Sequence, residues 1–310
     1  MPETPADRAY RGYTTLSAIA IPALVCVLAV LIARAALPAL AADSGVSVIG
    51  RTWDVGRGQF GLLPALVGTL TTSFFALCIA APLGLGAAVV AAELAPRPLR
   101  APLAFLLDLL AAIPSVVYGL WALAVVVPLL RTRVMPALAD AFPNAALVAG
   151  PQYGPSMLAA VLVLAIMILP YISAVAREVL LAVPRTQRDA ALALGATRWE
   201  MIRDAVLPYA RTGLIGGVML GLGRALGETM AVTMVIGNRH TLPTSLFEPG
   251  YTLSSLLANE FGEASAEGHV SALMAAACLL LGVTLLVNGL AQWLVWRTQH
   301  GRIGDHRGAD

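Results

Sequence analysis

The chain has 310 residues, of which 58% are hydrophobic and only 12% are charged. That charged fraction is about half of what soluble globular domains carry, and the mean hydropathy of +0.80 also excludes an ordinary soluble domain. The formal net charge of +2 is too small to indicate a nucleic-acid partner, and all 20 basic residues are arginine. A chain without lysine cannot form the P-loop of nucleoside triphosphatases, which excludes that class of ATPase.

The apolar residues come in six long runs, which predict an all-α integral membrane protein with six transmembrane helices. The first run contains Arg34 and is too long for a cleavable signal peptide, so we expect an uncleaved span. At Pro114, inside the third run, we expect a plain kink, which membrane helices tolerate. The predicted spans lie near residues 16–40, 62–92, 102–130, 156–175, 209–236 and 271–296.

The arginine distribution predicts that both termini are cytoplasmic. With the N-terminus inside, thirteen arginines fall on the inner side and five on the outer side, which is the bias of inner loops. Residues 177–208 then form a cytoplasmic loop, and residues 237–270 form an outer loop. The predicted divisions are a cytoplasmic tail (1–15), a first transmembrane helix with an outer loop (16–61), a core of five transmembrane helices (62–297) and a second cytoplasmic tail (298–310).

The loop at 177–208 has the composition of two short amphipathic helices joined at a glycine. Pro184 starts the first helix and Gly195 ends it. After the glycine, Trp199, Ile202 and Val206 recur at steps of three and four residues, which gives one apolar face. Such a pair could dock into a groove of a partner protein or lie on the membrane surface, and composition leaves both open.

The fifth predicted span carries glycine and charge on one face. At 3.6 residues per turn, Gly213, Gly217, Gly221, Arg224 and Glu228 fall within an arc of about 80°. Small residues at four-residue spacing let a second helix approach closely. We therefore expect helix packing at these three glycines and at the neighbouring Gly223 and Gly227.

Arg224 and Glu228 stand four residues apart in this span, as a pair on one helix face. A charge at the bilayer centre costs at least about 2.5–3.5 kcal/mol, which pairing offsets. The pair could be a buried ion pair that fixes how helices pack. It could also be a gate or polar lining in the path of a charged solute, because intramembrane charges usually face such a path or one another.

The segment Asp189-Ala190-Ala191, followed by Gly195 and then Leu207-Pro208, resembles the EAA loop of permease subunits of ABC importers. Asp189 replaces the glutamate of that pattern, and Ala205 stands where the pattern has isoleucine. The resemblance implies a cytoplasmic coupling helix that docks into an ATPase subunit.

Residues 216–238, GGVMLGLGRALGETMAVTMVIGN, resemble the PstC family of membrane permeases from phosphate-specific ABC importers, within the binding-protein-dependent transport permeases. The resemblance implies a type I ABC importer permease fold in the bacterial cytoplasmic (inner) membrane. It also implies three partners: a second permease subunit of the PstA type, an ATPase dimer of the PstB type and an extracytoplasmic phosphate-binding protein of the PstS type. No catalytic residue, cofactor or metal is expected in this chain.

A physical role for the charged pair fits phosphate transport. Guanidinium suits an oxyanion, and a neighbouring carboxylate would keep the contact weak enough to release it. We therefore expect Arg224 and Glu228 to contribute to the substrate path. The alternatives are a permease for another oxyanion, such as molybdate or sulfate, and a membrane anchor of a phosphate-sensing complex that transports nothing.

Overall fold

The structure, a computed structural model, describes residues 5–40 and 45–300. The last ten residues of the predicted tail at 298–310 lie outside this range. The helices are α1 (Pro5–Ala36), α2 (Leu63–Leu94), α3 (Arg97–Ala112), α4 (Ser115–Ala141), α5 (Met157–Leu181), α6 (Arg185–Ala193), α7 (Arg198–Leu226), α8 (Met230–Val235), α9 (Leu253–Glu260) and α10 (Glu267–His300). Short 3₁₀ turns lie at Leu37–Leu40 and Ala146–Val148.

Six helices in the described ranges are long and apolar enough to cross a membrane: α1, α2, α4, α5, α7 and α10. The prediction of six transmembrane helices is confirmed. The first of them begins at Pro5, so the predicted tail at 1–15 is largely part of the first helix. α1 packs against α10 and buries little of its own surface, which leaves it at the edge of the bundle.

Three apolar clusters follow one another along the bundle. The central cluster is built on α2 and α5, where alanines such as Ala76, Ala80 and Ala160 are fully buried and let the helices approach closely. The second joins the short strands to α9 and α10 through Trp53, Phe60 and other residues at one end. The third joins α2, α5 and the start of α7 at the opposite end. These clusters position the loop at 177–208 and the two charged residues, Arg224 and Glu228.

The third predicted span, 102–130, is wrong: the helix breaks at Ile113–Pro114. Ile113 has an extended ψ of 128°, as expected for the residue before a proline, and Pro114 has no N–H to continue the ladder. The hydroxyl of Tyr118 donates to the freed carbonyl of Leu110 at 2.9 Å. The membrane-spanning helix is therefore α4, and α3 is a separate helix without a buried residue.

Four wide π-helical turns in the described ranges each end two residues before a proline. A proline cannot donate to the carbonyl four residues back, so the preceding turn widens and re-pairs with bonds such as Val127 N–H to the Ala122 carbonyl. These turns are Val90–Leu94, Ala122–Val126, Leu130–Val134 and Met201–Val206, and the prolines are Pro96, Pro128, Pro136 and Pro208.

A small sheet, which the sequence did not indicate, follows α1. Its strands β1 (Val46–Ser47), β2 (Trp53–Asp54) and β3 (Gln59–Gly61) have the order β1-β3-β2, parallel for the first pair and antiparallel for the second. Trp53 pairs with Phe60 across the ladder, and their ring centroids lie 5.0 Å apart. The sheet closes one end of the helical bundle.

The segment before α9 packs closely against α2 at Gly68. A Cβ at Gly68 would lie 1.9 Å from the carbonyl oxygen of Tyr251, whereas one at Gly86 on the same helix meets nothing within 4 Å. Gly68→Ala is expected to destabilise the fold by about 1–3 kcal/mol. Gly86→Ala is expected to be neutral or stabilising by about 0.4–1 kcal/mol. Thermal unfolding of the detergent-purified protein measures both, and equal midpoints for the two variants would contradict this packing.

Candidate functional site

Arg224 and Glu228 do not share one helix in the structure. α7 ends at Leu226 with Gly227 as its cap, and Glu228 lies in the short connection before α8. No ion pair joins the two side chains within the described ranges; Arg224 instead lies 5.8 Å above the Tyr171 ring centroid. The predicted pair at i and i+4 on a continuous helix is wrong, because the glycine before Glu228 ends the helix.

The two charged groups occupy different environments. Glu228 is 9% exposed; its Oε1 accepts the N–H of Ala231 at 3.3 Å, and its carbonyl oxygen accepts the Ser254 hydroxyl at 2.7 Å. Arg224 is exposed on the surface of the chain. The carboxylate therefore accepts one backbone N–H at the start of α8, the Ser254 hydroxyl of α9 binds the backbone carbonyl of Glu228 instead, and the guanidinium remains available to an anion.

Three glycines of α7 bring it close to α5. A Cβ at Gly213, Gly217 or Gly221 would lie 2.6, 3.1 and 2.6 Å from the side chains of Val179, Val175 and Ile172 respectively. Gly223 faces α10: a Cβ added at Gly223 would lie 3.4 Å from Oδ1 of Asn288. Gly227 was expected in the same packing surface, but it is exposed and meets no other helix within the described chain.

The EAA-like segment forms a helix, a glycine turn and the start of α7. Asp189, Ala190 and Ala191 lie on α6, and Gly195 follows with a φ of +87° that side chains other than glycine rarely adopt. Thr197 then caps α7 in a reciprocal pair with Glu200. The second predicted short helix is thus continuous with the fifth span, and Leu207 and Pro208 lie inside it.

The tip of this segment presents large apolar side chains to its surroundings. Leu194 is 90% exposed, Trp199 is 56% exposed and Leu192 is 44% exposed. A contiguous group of exposed apolar side chains is typical of a surface that binds another protein.

An ion pair between distant parts of the chain holds α6 in place. Arg188 Nη2 lies 2.6 Å from Glu93 Oε1 at the end of α2, and both side chains are largely buried. Arg188 also donates to the carbonyls of Leu180 and Val183. The two residues stand 95 positions apart, so no spacing in the sequence indicated this contact.

The opposite end of the bundle has a cluster of aromatic and histidine side chains, to which no motif in the sequence assigns a function. Glu260 Oε1 lies 3.4 Å from His240 Nε2, and Glu260 Oε2 lies 3.3 Å from His269 Nε2. Trp53 stacks on His240 and Phe60 on His269. Burial lowers the pKa of His240 below its usual 6.5, against the opposing effect of Glu260. No group of three metal-ligating side chains suited to an ion is present among the residues described.

The family of the chain follows from comparisons with known proteins. The family model for the binding-protein-dependent transport system inner membrane component matches residues 80–300. The chain is 41% identical over 295 residues to the phosphate transport system permease PstC of Mesorhizobium japonicum, covering 94% of this chain and 90% of that protein. It is 45% identical to PstC of Pasteurella multocida, covering 80% and 78% of the two chains. The chain belongs to the PstC family of permeases. It is a multi-pass inner membrane protein.

Solved structures show the same fold. A chain of the bacterial alginate ABC transporter, in complex with a periplasmic protein that binds an alginate pentasaccharide, superposes with a TM-score of 0.62 at 16% identity, covering 94% of this chain and 97% of that one. A chain of the inward-facing MetNI methionine ABC transporter gives a TM-score of 0.52 at 18% identity, covering 76% and 93%. As a member of the PstC family, the chain therefore has the type I ABC importer permease fold and the role of a non-enzymatic transporter subunit.

Breaking the Arg188–Glu93 pair is expected to loosen α6. Arg188→Gln leaves the Glu93 carboxylate buried without a counter-charge, which costs about 3–5 kcal/mol for a fully buried group and less here. Hydrogen exchange of the amides of residues 185–193 should therefore accelerate. Arg203→Gln is the matched control, because Arg203 pairs with Asp204 on an exposed surface. Unchanged exchange in the Arg188 variant would show that the pair does not hold the helix.

The environment of His240 predicts a loss of stability in acid. Because the folded pKa lies below the unfolded value, the unfolded chain binds the proton first as the pH falls, so stability drops from about pH 6.5 downward. His240→Gln should reduce the fall in unfolding temperature between about pH 7.5 and about pH 5.5. Thermal unfolding at both pH values measures this, and an identical fall in both proteins would exclude His240 as a source.

Proposed function

We propose that this chain is the permease subunit of an ATP-driven importer that moves inorganic phosphate into the cell. The curated relatives of 41% and 45% identity are named as phosphate transport permeases, and they span most of this chain. The observation within the chain that carries the proposal is Arg224, an exposed guanidinium near the end of a membrane-spanning helix, with no carboxylate bound to it among the described residues.

The chemistry of the two charges supports a transient contact with an oxyanion. A guanidinium offers a planar fork of N–H donors that matches two oxygens of phosphate. Glu228 is buried next to the same helix end, so its charge opposes tight anion binding at Arg224 without occupying the guanidinium. Such a site accepts phosphate and also releases it, as transport requires.

The segment 177–208 is proposed as the cytoplasmic coupling loop, with both termini on the same side. Its exposed apolar residues Leu192, Leu194 and Trp199 supply a surface for an ATPase subunit of the PstB type. α7 is unbroken from Arg198 to Leu226. At 1.5 Å per residue, a displacement of the loop would be carried about 40 Å along this helix to Arg224.

Two further partners complete the proposal. The exposed side of Arg224 and a groove of about 930 Å³ that opens between α5, α7 and α10 suit a second permease subunit of the PstA type. A binding protein of the PstS type would dock at the end that carries the sheet and α9. The solved alginate transporter, which shares this fold, was crystallised with a periplasmic protein.

Uptake of labelled phosphate by the reconstituted complex, supplied with ATP and binding protein, tests the proposal. Arg224→Gln is expected to lower the initial rate by about tenfold or more, since a charge-assisted hydrogen bond is worth about 1.5–3 kcal/mol. Glu228→Gln should also lower the rate, by slowing release. Arg133→Gln, an exposed arginine on α4, should leave the rate unchanged.

The competing substrates and functions give different results. Excess sulfate or molybdate should not compete with labelled phosphate; competition by either would favour the permease for another oxyanion. No uptake by the unmodified complex would favour a membrane anchor of a phosphate-sensing complex. Near-normal uptake by both Arg224→Gln and Glu228→Gln, at normal protein levels, would reduce the two charges to a structural role.

A further inference from the structure

A second concentration of positive charge lies at the end of the bundle that carries α6. A cavity of about 470 Å³ opens between the end of α2, the start of α3, α6 and the start of α7. Five arginines line it: Arg97, Arg100, Arg185, Arg188 and Arg198. Only two carboxylates, those of Glu93 and Asp189, share the cavity with them.

The contacts of these side chains leave three of the arginines uncompensated. Glu93 forms an ion pair with Arg188, with 2.6 Å between Glu93 Oε1 and Arg188 Nη2. Arg100 donates to the carbonyls of Glu93 and Ala95 at 3.2 and 2.9 Å. The remaining three, Arg97, Arg185 and Arg198, have no ion pair or hydrogen bond among the described residues, and Asp189 is the one carboxylate left to balance them.

The position of these three arginines is unfavourable for the fold itself. Each is the first residue of its helix, α3, α6 or α7. A cation at a helix N-terminus is repelled by the helix dipole, whereas an anion there is attracted. Like charges lining one cavity also repel one another. A bound anion removes both unfavourable terms, so the arrangement suits a ligand better than it suits the empty protein.

We propose that this cavity binds a phosphate group. The three free guanidiniums supply forks of N–H donors for phosphate oxygens. Leu181 and Leu192 also line the cavity, and Leu94 and Leu99 are exposed beside it. The phosphate can come from the headgroup of an anionic phospholipid, whose acyl chains would lie on these leucines, or from inorganic phosphate in solution. The site is separate from Arg224, which lies about 40 Å away along α7.

The test uses the complete importer complex, purified in detergent and freed of bound lipid. The probes are dihexanoylphosphatidylglycerol, which is anionic and soluble, dihexanoylphosphatidylcholine, which is zwitterionic, and inorganic phosphate. Calorimetric titration gives the affinity of each probe. The variant is Arg97→Gln with Arg185→Gln. The control is Arg203→Gln, which removes one positive charge from an exposed position on α7 that does not line the cavity.

The proposal predicts that phosphatidylglycerol or inorganic phosphate binds the unmodified complex, and that the double variant binds the same probe about tenfold or more weakly. The control should stay within about twofold. Binding by phosphatidylglycerol alone assigns the site to lipid. Binding by inorganic phosphate, measured in complexes that all carry Arg224→Gln so that the substrate path does not contribute, assigns it to the free anion.

Two results would overturn the proposal. One is equal affinity of the unmodified complex, the double variant and the control for each probe. The other is loss of the ATPase subunit from the double variant, with anion binding by the remaining chains unchanged, because the arginines would then serve to hold a protein partner. Neither result depends on phosphate import, so failure here is distinguishable from failure of the proposed transport function.

Discussion

The close contact between α7 and α5 is the constraint on which the candidate site depends. Gly213, Gly217 and Gly221 let α7 approach the side chains of Val179, Val175 and Ile172. Because an added Cβ would collide at Gly213 and Gly221 and be crowded at Gly217, the rotation of α7 about its own axis is constrained by its fit to α5. That rotation places Arg224 at the edge of the contact, over the ring of Tyr171 and outside the packed interior.

The end of α7 at Leu226 then determines whether Arg224 and Glu228 can form an ion pair. A helix that continued through Gly227 would carry Glu228 on the same face as Arg224, within reach of an ion pair. The break turns the carboxylate inward to the amide of Ala231. An ion pair in hydrocarbon would satisfy both groups and leave nothing for a substrate. Separating them keeps the guanidinium available, and the backbone N–H of Ala231 reduces the cost of burying the Glu228 charge.

Hydropathy and spacing were sufficient for the number of spans and for the close packing at Gly213, Gly217 and Gly221, and the loop at 177–208 was identified by its resemblance to the EAA pattern. They were insufficient where a helix ends inside an apolar run. At Pro114 the chain breaks fully, because Tyr118 can bond the carbonyl that the break frees. At Gly227 it breaks because Glu228 and Ser254 replace the helical bonds. Both outcomes depend on side chains supplied from elsewhere in the fold, and a periodic pattern does not contain that information. The same is true of the Arg188–Glu93 pair, whose members become neighbours only when α2 and α6 meet.

Cysteine accessibility tests the separation of the two charges most directly. Cys26, Cys78 and Cys278 would be replaced by serine, and single cysteines introduced as Arg224→Cys or Glu228→Cys in the reconstituted complex. A membrane-impermeant methanethiosulfonate should modify the cysteine at 224 at least about tenfold faster than the one at 228, following the exposed and buried positions of the two residues. Phosphate should slow the reaction at 224. Equal rates at both positions, or faster reaction at 228, would contradict the account.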